Sequence, residues 1–202
     1  MIKTPPTLNI ENAIPGAVAG VDEAGRGPLA GPVIAAAVIL DPNNIPAGLA
    51  DSKTLTEKRR EELAPLIHEM ASVGVGAASV SEIDTINILQ ASLLAMSRAV
   101  AALPFAPDAC IIDGNQKPKL ACRVQTVIKG DAKSLSIAAA SIVAKTARDQ
   151  IMRDLALRFP AYGWEKNKGY GAPAHLTALR EHGFCEHHRK SFAPVRALVE
   201  AA

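Results

Sequence analysis

The sequence predicts an α/β fold, a mixed five-stranded sheet flanked by helices with a helical C-terminal extension. Three observations predict it. Apolar strand-length segments come early without long helices between them and then alternate with helical stretches, the pattern of a mixed sheet. The longest helical stretch, Ser134 to about Arg158, carries small residues at Ala138, Ala139, Ala140 and Ala144 that allow it to lie close to a sheet. Apolar strands end in acids at Asp22, Asp113 and Asp131, each beside a glycine-containing turn. Strand ends are where sites collect in open α/β sheets.

In chain order, residues 1–16 hold three prolines and no periodicity, and read as a flexible arm. Ala17 to Asp22 is the first strand and Val33 to Leu40 a second, buried one, joined as a hairpin by a glycine-rich turn. After a Pro/Asn loop, Thr54-x-x-Glu57 has the form of a capping box opening a helix to about Met70, which Pro65 is expected to bend. Ser72 to Val80 is a third strand. Ser81-x-x-Asp84 starts a short helical turn, and Asn87 to Leu103 repeats apolar residues at helical spacing. Ala109–Asp113 and Arg123–Ile128 are the remaining strands. Phe159 to Pro173 is a Gly/aromatic/Lys loop, followed by helices near 174–182 and 195–202.

The 202 residues suit one domain with a sizeable core, and 49% hydrophobic with 21% charged residues is ordinary for a soluble globular protein. The N-terminus lacks an apolar run of signal-peptide length, and the longest apolar stretch, Leu29 to Leu40, is too short to span a bilayer. Three cysteines (Cys110, Cys122, Cys185) without C-x-x-C spacing predict reduced thiols in a cytoplasmic protein. Charge is uneven along the chain. Residues 1–100 carry 7 Lys/Arg against 11 Asp/Glu, and residues 101–202 carry 15 against 9. A basic half suggests a face that meets a polyanion, although plain solvated faces are basic too.

The acids are the chemical core of the reading. Asp22 and Glu23 are adjacent, and neighbours on a strand face opposite ways, so both reach one cleft only where the strand ends or bends. With Asp113 and Asp131 they make four carboxylates able to converge. Such a group repels itself unless protonated or neutralised by cations. Hard oxygen ligands without His or Cys suit Mg²⁺ or Mn²⁺. Two ions about 3.5–4 Å apart suit in-line displacement at phosphorus. Lys129 and Lys133 bracket Asp131, Lys53 follows Asp51, and Ser141, Lys145 and Arg148 share one helix face. These groups are expected to position phosphates; the alternative is that they pair with nearby acids such as Asp149.

The chain resembles the ribonuclease HII family, the bacterial type 2 ribonucleases H. The matching stretches are GVDEAGRGPLAGPV (20–33), DSKTLTEKRRE (51–61), NILQASLLAM (87–96), IIDGN (111–115), VIKGDAKSLSIAAASIVAKTARD (127–149), NKGYGAPAH (167–175) and HRKSF (188–192). The resemblance implies an RNase H-like fold, with a catalytic domain over 17–158 and a C-terminal extension over 159–202 packed on it. It implies metal-dependent cleavage of RNA paired with DNA. It also implies cutting on the 5′ side of single ribonucleotides embedded in duplex DNA, leaving 3′-hydroxyl and 5′-phosphate ends. Asp22, Glu23, Asp113 and Asp131 fall on the family's catalytic and metal-binding acids, which hold two ions, Mg²⁺ or Mn²⁺. Gly25, Arg26 and Gly27 fall on the motif that reads the 2′-hydroxyl, largely through the backbone. Tyr170 falls on the tyrosine that packs on the sugar, and Lys53, Ser141 and Lys145 on phosphate contacts. The family often has Thr after GYG, where this chain has Ala172. A monomer without membrane contact is the family-like default, and a replication clamp is a conceivable partner of the C-terminal helix.

Other residues invite weaker readings. Cys185, His187 and His188 lack a zinc spacing and are expected to be structural or solvated. Tyr162 and Trp164 are expected either to stack on bases or to anchor their loop. Asn87 is expected to cap a helix, and Asp51 to bond its own chain rather than join the acids. Two other functions compete with the one the resemblance implies. A non-catalytic nucleic-acid binder is disfavoured by four acids beside a phosphate backbone. A dinucleotide fold is disfavoured because Gly25-x-Gly27-x-x-x-Gly31 misses G-x-G-x-x-G and Pro28 and Pro32 sit where its helix would start.

Overall fold

The computed structural model describes residues 5–201 of the chain. Its elements are α1 (Asn9–Asn12), β1 (Val18–Ala24), β2 (Val33–Leu40), α2 (Glu57–Met70), β3 (Ala71–Ala78), α3 (Val80–Ala101), β4 (Ala109–Asp113), β5 (Arg123–Val127), α4 (Leu135–Arg158), α5 (Trp164–Asn167), α6 (Pro173–His182) and α7 (Ala193–Glu200). The strands form one five-stranded sheet in the order β3-β2-β1-β4-β5. β1, β2 and β3 pair antiparallel as a meander, while β1–β4 and β4–β5 are parallel.

Strand alternation divides the core between the two faces of the sheet. On β2, Val33, Ala35 and Ala37 join Ala91, Ala95 and Ala99 of α3. Ala36 and Val38 face the other way, onto Leu63 and Ile67 of α2 and Ile142 and Val143 of α4. Small residues set the spacing. A Cβ on Gly74 or Gly76 of β3 would lie 2.2–2.3 Å from carbonyl oxygens of α3, and one on Gly20 would lie 2.2 Å from the Ser136 backbone of α4. The alanine-rich face of α4 accordingly packs against the sheet, as its composition predicts.

Several local expectations are corrected. The expected flexible arm is docked over residues 7–12: Leu135 N–H donates to the Thr7 carbonyl, and buried Glu11 accepts from the Ser134 and Ser136 hydroxyls at 2.6 Å each. An acid beside the first turn of α4 meets unsatisfied N–H groups there, which local periodicity in 1–16 could not reveal. Residues 1–4 of that arm, and Ala202 of the last helix, lie outside the described residues. Helix α2 is capped by Thr56, whose side chain accepts from Arg59 N–H, and not by Thr54, whose hydroxyl donates to the Asp51 carbonyl. It runs on through Pro65. The capping box of α3 is Ser79 with Glu82, not Ser81 with Asp84. Asn87 interrupts α3 with a positive φ of 66° and accepts from the N–H groups of Leu89 and Gln90, the capping role expected of it.

The C-terminal segment packs on the outer end of α4. Trp164, Tyr162, Leu179 and Val195 enclose Met152 and Ala156, so the two aromatics anchor their loop to the body. Among the described residues no helix is long and apolar enough to cross a membrane.

Candidate active site

The site forms where β1 and β4 end side by side. Strand β1 delivers Asp22 and β4 delivers Asp113, while Asp131 sits on the single 3₁₀ turn Gly130–Ala132 that links β5 to α4. Carboxylate oxygens of Asp22, Asp113 and Asp131 all lie within 4.8 Å of one another. Backbone amides set their aim: Gly130 N–H donates to Asp113 Oδ1 at 2.6 Å, and Glu23 N–H donates to Asp22 Oδ1 at 2.7 Å.

Glu23 stands apart from that trio. Its carboxylate is not among the oxygens that lie within 4.8 Å of one another, and Arg26 pairs with it at 3.3 Å, yet it lines the same cleft as Asp22 and Asp113. It lines the rim of the cleft between Asp113 and the Leu89–Met96 stretch of α3.

Electrostatics mark the cluster as under-compensated. Burial raises the Asp22 carboxyl well above the usual carboxylate range, and the charges of Glu23 and Asp113 push it further. Asp113 is raised by burial first and by Asp131 second, and burial also raises Glu23 against the opposing pull of Arg26. The compensating cation is Lys53, whose Nζ lies 3.2 Å from Asp131 while its side chain stays 75% exposed. Burial works against the charge on Lys53, but Asp131, Asp22 and Asp51 outweigh it and raise the ammonium. Buried oxygen donors that repel one another fit hard divalent cations, which would remove the repulsion.

A cleft of about 330 Å³ joins Asp22, Glu23 and Asp113 to Gly25, Arg26, Gly27, Ser52, Lys53, Ser141, Lys145 and Tyr170, with Asp131 beside it against Asp113 and Lys53. All of the substrate-contact residues expected from the sequence therefore border one space. Ser141 and Ser52 hydroxyls are 2.7 Å apart. The Tyr170 ring is exposed beside Gly27. Lys145 borders the cleft but its ammonium is held by both oxygens of Asp149, the pairing weighed as the alternative. Arg148 does not reach the cleft. It is 1% exposed and donates to the carbonyls of Pro32, Lys168 and Ala30. Asp51 accepts from Lys53 N–H, the local bond expected of it.

Behind the cleft lies a group that motif reading did not assign. Arg189 is fully buried and donates to the carbonyls of Gly31, Arg26, Gly25 and Pro32 at 2.6–3.2 Å. Its place in HRKSF was the available signal. Beside it, His175 Nδ1 is 2.8 Å from the Tyr170 carbonyl, while its Nε2 meets Trp164 Nε1 and His188 Nε2 at 3.1 Å each. Since Trp164 only donates, His175 Nε2 is the acceptor and Nδ1 carries the proton toward Tyr170. Burial lowers both imidazoles, His188 to about 4, and hydrogen bonds within the protein engage all four ring nitrogens, the structural role expected of His188. Cys185 closes the cluster by donating its N–H to His188 Nδ1 at 3.1 Å.

Comparison with known proteins gives one answer. The family model described as Ribonuclease HII matches residues 19–195. A ribonuclease HII of Bordetella pertussis is 59% identical over 185 residues, covering 91% of this chain and 92% of the relative. Among solved structures, the ribonuclease H2 of Pyrococcus horikoshii OT3 superposes with a TM-score of 0.78 at 29% identity, covering 91% of this chain and 97% of that one. A Bst-RNase HIII solved in complex with Mn²⁺ gives a TM-score of 0.74 at 26% identity, covering 92% of this chain and 70% of that one. With that match over nearly its whole length, and with acids gathered at the strand ends of an RNase H-like sheet, the chain belongs to the ribonuclease HII family and is an endoribonuclease.

Proposed function

We propose that the protein cleaves the RNA strand of RNA/DNA hybrids and cuts on the 5′ side of single ribonucleotides in duplex DNA. The observation that carries this reading is one cleft in which Asp22 and Asp113, clustered with Asp131, share the space with a Gly-Arg-Gly loop and an exposed tyrosine. Water attacks the phosphorus and the bond to the preceding 3′-oxygen breaks, leaving a 3′-hydroxyl and a 5′-phosphate. Asp22, Asp113 and Asp131, with Glu23 on the adjoining wall, would hold two divalent cations, Mg²⁺ or Mn²⁺. Such ions supply a lowered pKa for the attacking water and charge neutralisation at the leaving oxygen.

The remaining chemistry belongs to the chain. Backbone N–H groups of Gly25, Arg26 and Gly27 read the 2′-hydroxyl, the group that distinguishes RNA from DNA. Glycine at 25 and 27 lets the backbone approach a sugar without a side chain in between. Tyr170 packs on the adjoining sugar, and Lys53, Ser141 and Lys145 position phosphates. We take the 17–158 body and the 159–202 extension as one working unit, acting as a cytoplasmic monomer; the three unbridged thiols suit a reducing compartment.

The test is cleavage of a labelled DNA duplex holding one ribonucleotide, in Mg²⁺, Mn²⁺ or EDTA, beside an all-DNA control. A metal-dependent cut on the 5′ side of the ribonucleotide, with the control intact, supports the reading. Folded protein that cuts under neither metal overturns it.

A further inference from the structure

The Gly25–Pro32 loop is held from behind by two arginines with no carboxylate within 4 Å among the described residues. Arg148 is 1% exposed and Arg189 0%. Between them they donate to the carbonyls of Gly25, Arg26, Ala30, Gly31, Pro32 and Lys168, in seven hydrogen bonds. A buried guanidinium costs several kcal/mol unless its donors are satisfied, and here backbone dipoles satisfy them. Burial, with Arg148 close by, lowers Arg189 to about 9. The fit is tight: a Cβ on Gly25, whose φ is +100°, would lie 2.0 Å from Arg148 Nε.

The consequence for the cleft follows from peptide geometry. In a planar trans peptide the carbonyl of one residue and the N–H of the next point opposite ways. Arg189 pulls the carbonyls of Gly25 and Arg26 inward, so the N–H groups of Arg26 and Gly27 are turned outward. The neighbouring peptide obeys the same rule: the Ala30 carbonyl is held by Arg148, and the next N–H, on Gly31, points away to the His187 carbonyl at 2.9 Å. Among the described residues the N–H groups of Arg26 and Gly27 donate to nothing within the chain, and both residues line the cleft.

We infer that Arg189, seconded by Arg148, is a positioning residue that sets ribose recognition by aiming the Arg26 and Gly27 amides through their carbonyls. It touches no substrate itself. Lysine at 189 keeps the charge but cannot span four carbonyls with a rigid fork. The inference rests on the proposed reading of the cleft as a ribonucleotide-recognising site.

The experiment measures affinity in Mg²⁺, by fluorescence anisotropy, for a duplex with one ribonucleotide and for its all-DNA counterpart. Both are measured in an Asp113→Asn background to suppress cutting. Adding Arg189→Lys is expected to lower the preference for the ribonucleotide duplex by about tenfold, or to abolish a smaller preference, while all-DNA affinity stays within about twofold. A purely structural role would weaken both affinities together, and that result, or an unchanged preference, overturns the inference. If the Asp113→Asn protein shows no preference at all, the reading of the cleft fails first and takes this inference with it. Should Arg189→Lys not fold, amide NMR of the Asp113→Asn protein decides. The Arg26 and Gly27 amides are expected to shift with the ribonucleotide duplex and not with the all-DNA one, and equal shifts overturn the inference.

Discussion

Two regions on either side of the Gly25–Pro32 loop treat buried charge in opposite ways. In front, Asp22, Asp113 and Asp131 crowd within 4.8 Å and lean on a single, mostly exposed lysine. Behind, Arg148 and Arg189 have no carboxylate within 4 Å among the described residues and place their donors on backbone carbonyls, and His175 and His188 pair with each other. The front is a set of mutually repelling oxygen donors, which suits divalent cations. The rear is satisfied from within, which makes it a rigid mount. Substitutions in front should therefore change activity at little cost in stability, and substitutions in the aromatic cluster of the rear should do the reverse.

The largest expected effect is in front. Asp113→Asn should lower single-turnover cleavage by about 10²–10³-fold, the loss typical of removing one preorganised electrostatic group. Circular dichroism and melting temperature should stay near the parent's. Comparable rates for variant and parent would erase the contrast.

Behind the loop, Trp164→Ala should cost about 3–5 kcal/mol in a denaturant titration, the range for emptying a fully buried aromatic site. The folded fraction should still bind Mg²⁺ as the parent does. A stability loss below about 1 kcal/mol would mean that the aromatic cluster carries less of the mount than its burial implies.

A pH titration sharpens the comparison further. His188 falls to about 4 in the folded state against an ordinary value of 6.5, so the unfolded chain binds the proton more tightly. The stability contributed by the neutral ring is complete above about 6.5 and is lost as pH falls toward 4. Melting temperature should drop across that window, and His188→Gln should flatten the drop. An unchanged slope in the variant would remove His188 as the cause.

The smallest effect belongs to Lys53. Its side chain is 75% exposed although its partner Asp131 is buried, so Lys53→Ala should change stability by about 1 kcal/mol or less. Its phosphate role predicts that the salt dependence of substrate affinity falls by about one unit of log–log slope. An unchanged slope would confine Lys53 to its contact with Asp131.

Sequence patterns carried the sheet because they are local. The continuous apolar run of β2, glycines in β3 and alanines in α4 each report their own packing surface, and strand boundaries fell within about two residues of expectation. The acids were legible for the same reason, since each follows an apolar strand and precedes a turn. Arg148 misled because helical spacing places it seven residues after Ser141 on one face, while its surroundings come from Ala30, Pro32 and Lys168. The arm misled similarly, since the partners of Glu11 lie more than a hundred residues away.

By itself, then, the sequence determined the mixed sheet, the strand ends that deliver Asp22 and Asp113, and the family motifs. All of these depend on residue order over a few turns or one strand. Tertiary structure decided which carboxylates meet within 4.8 Å, with Glu23 on the wall of the same cleft and paired with Arg26. It also turned two cations of the basic C-terminal half into a mount for the Gly-Arg-Gly loop. The reason is physical: a charged side chain takes its role from the groups that replace water around it, and those groups are brought together by folding.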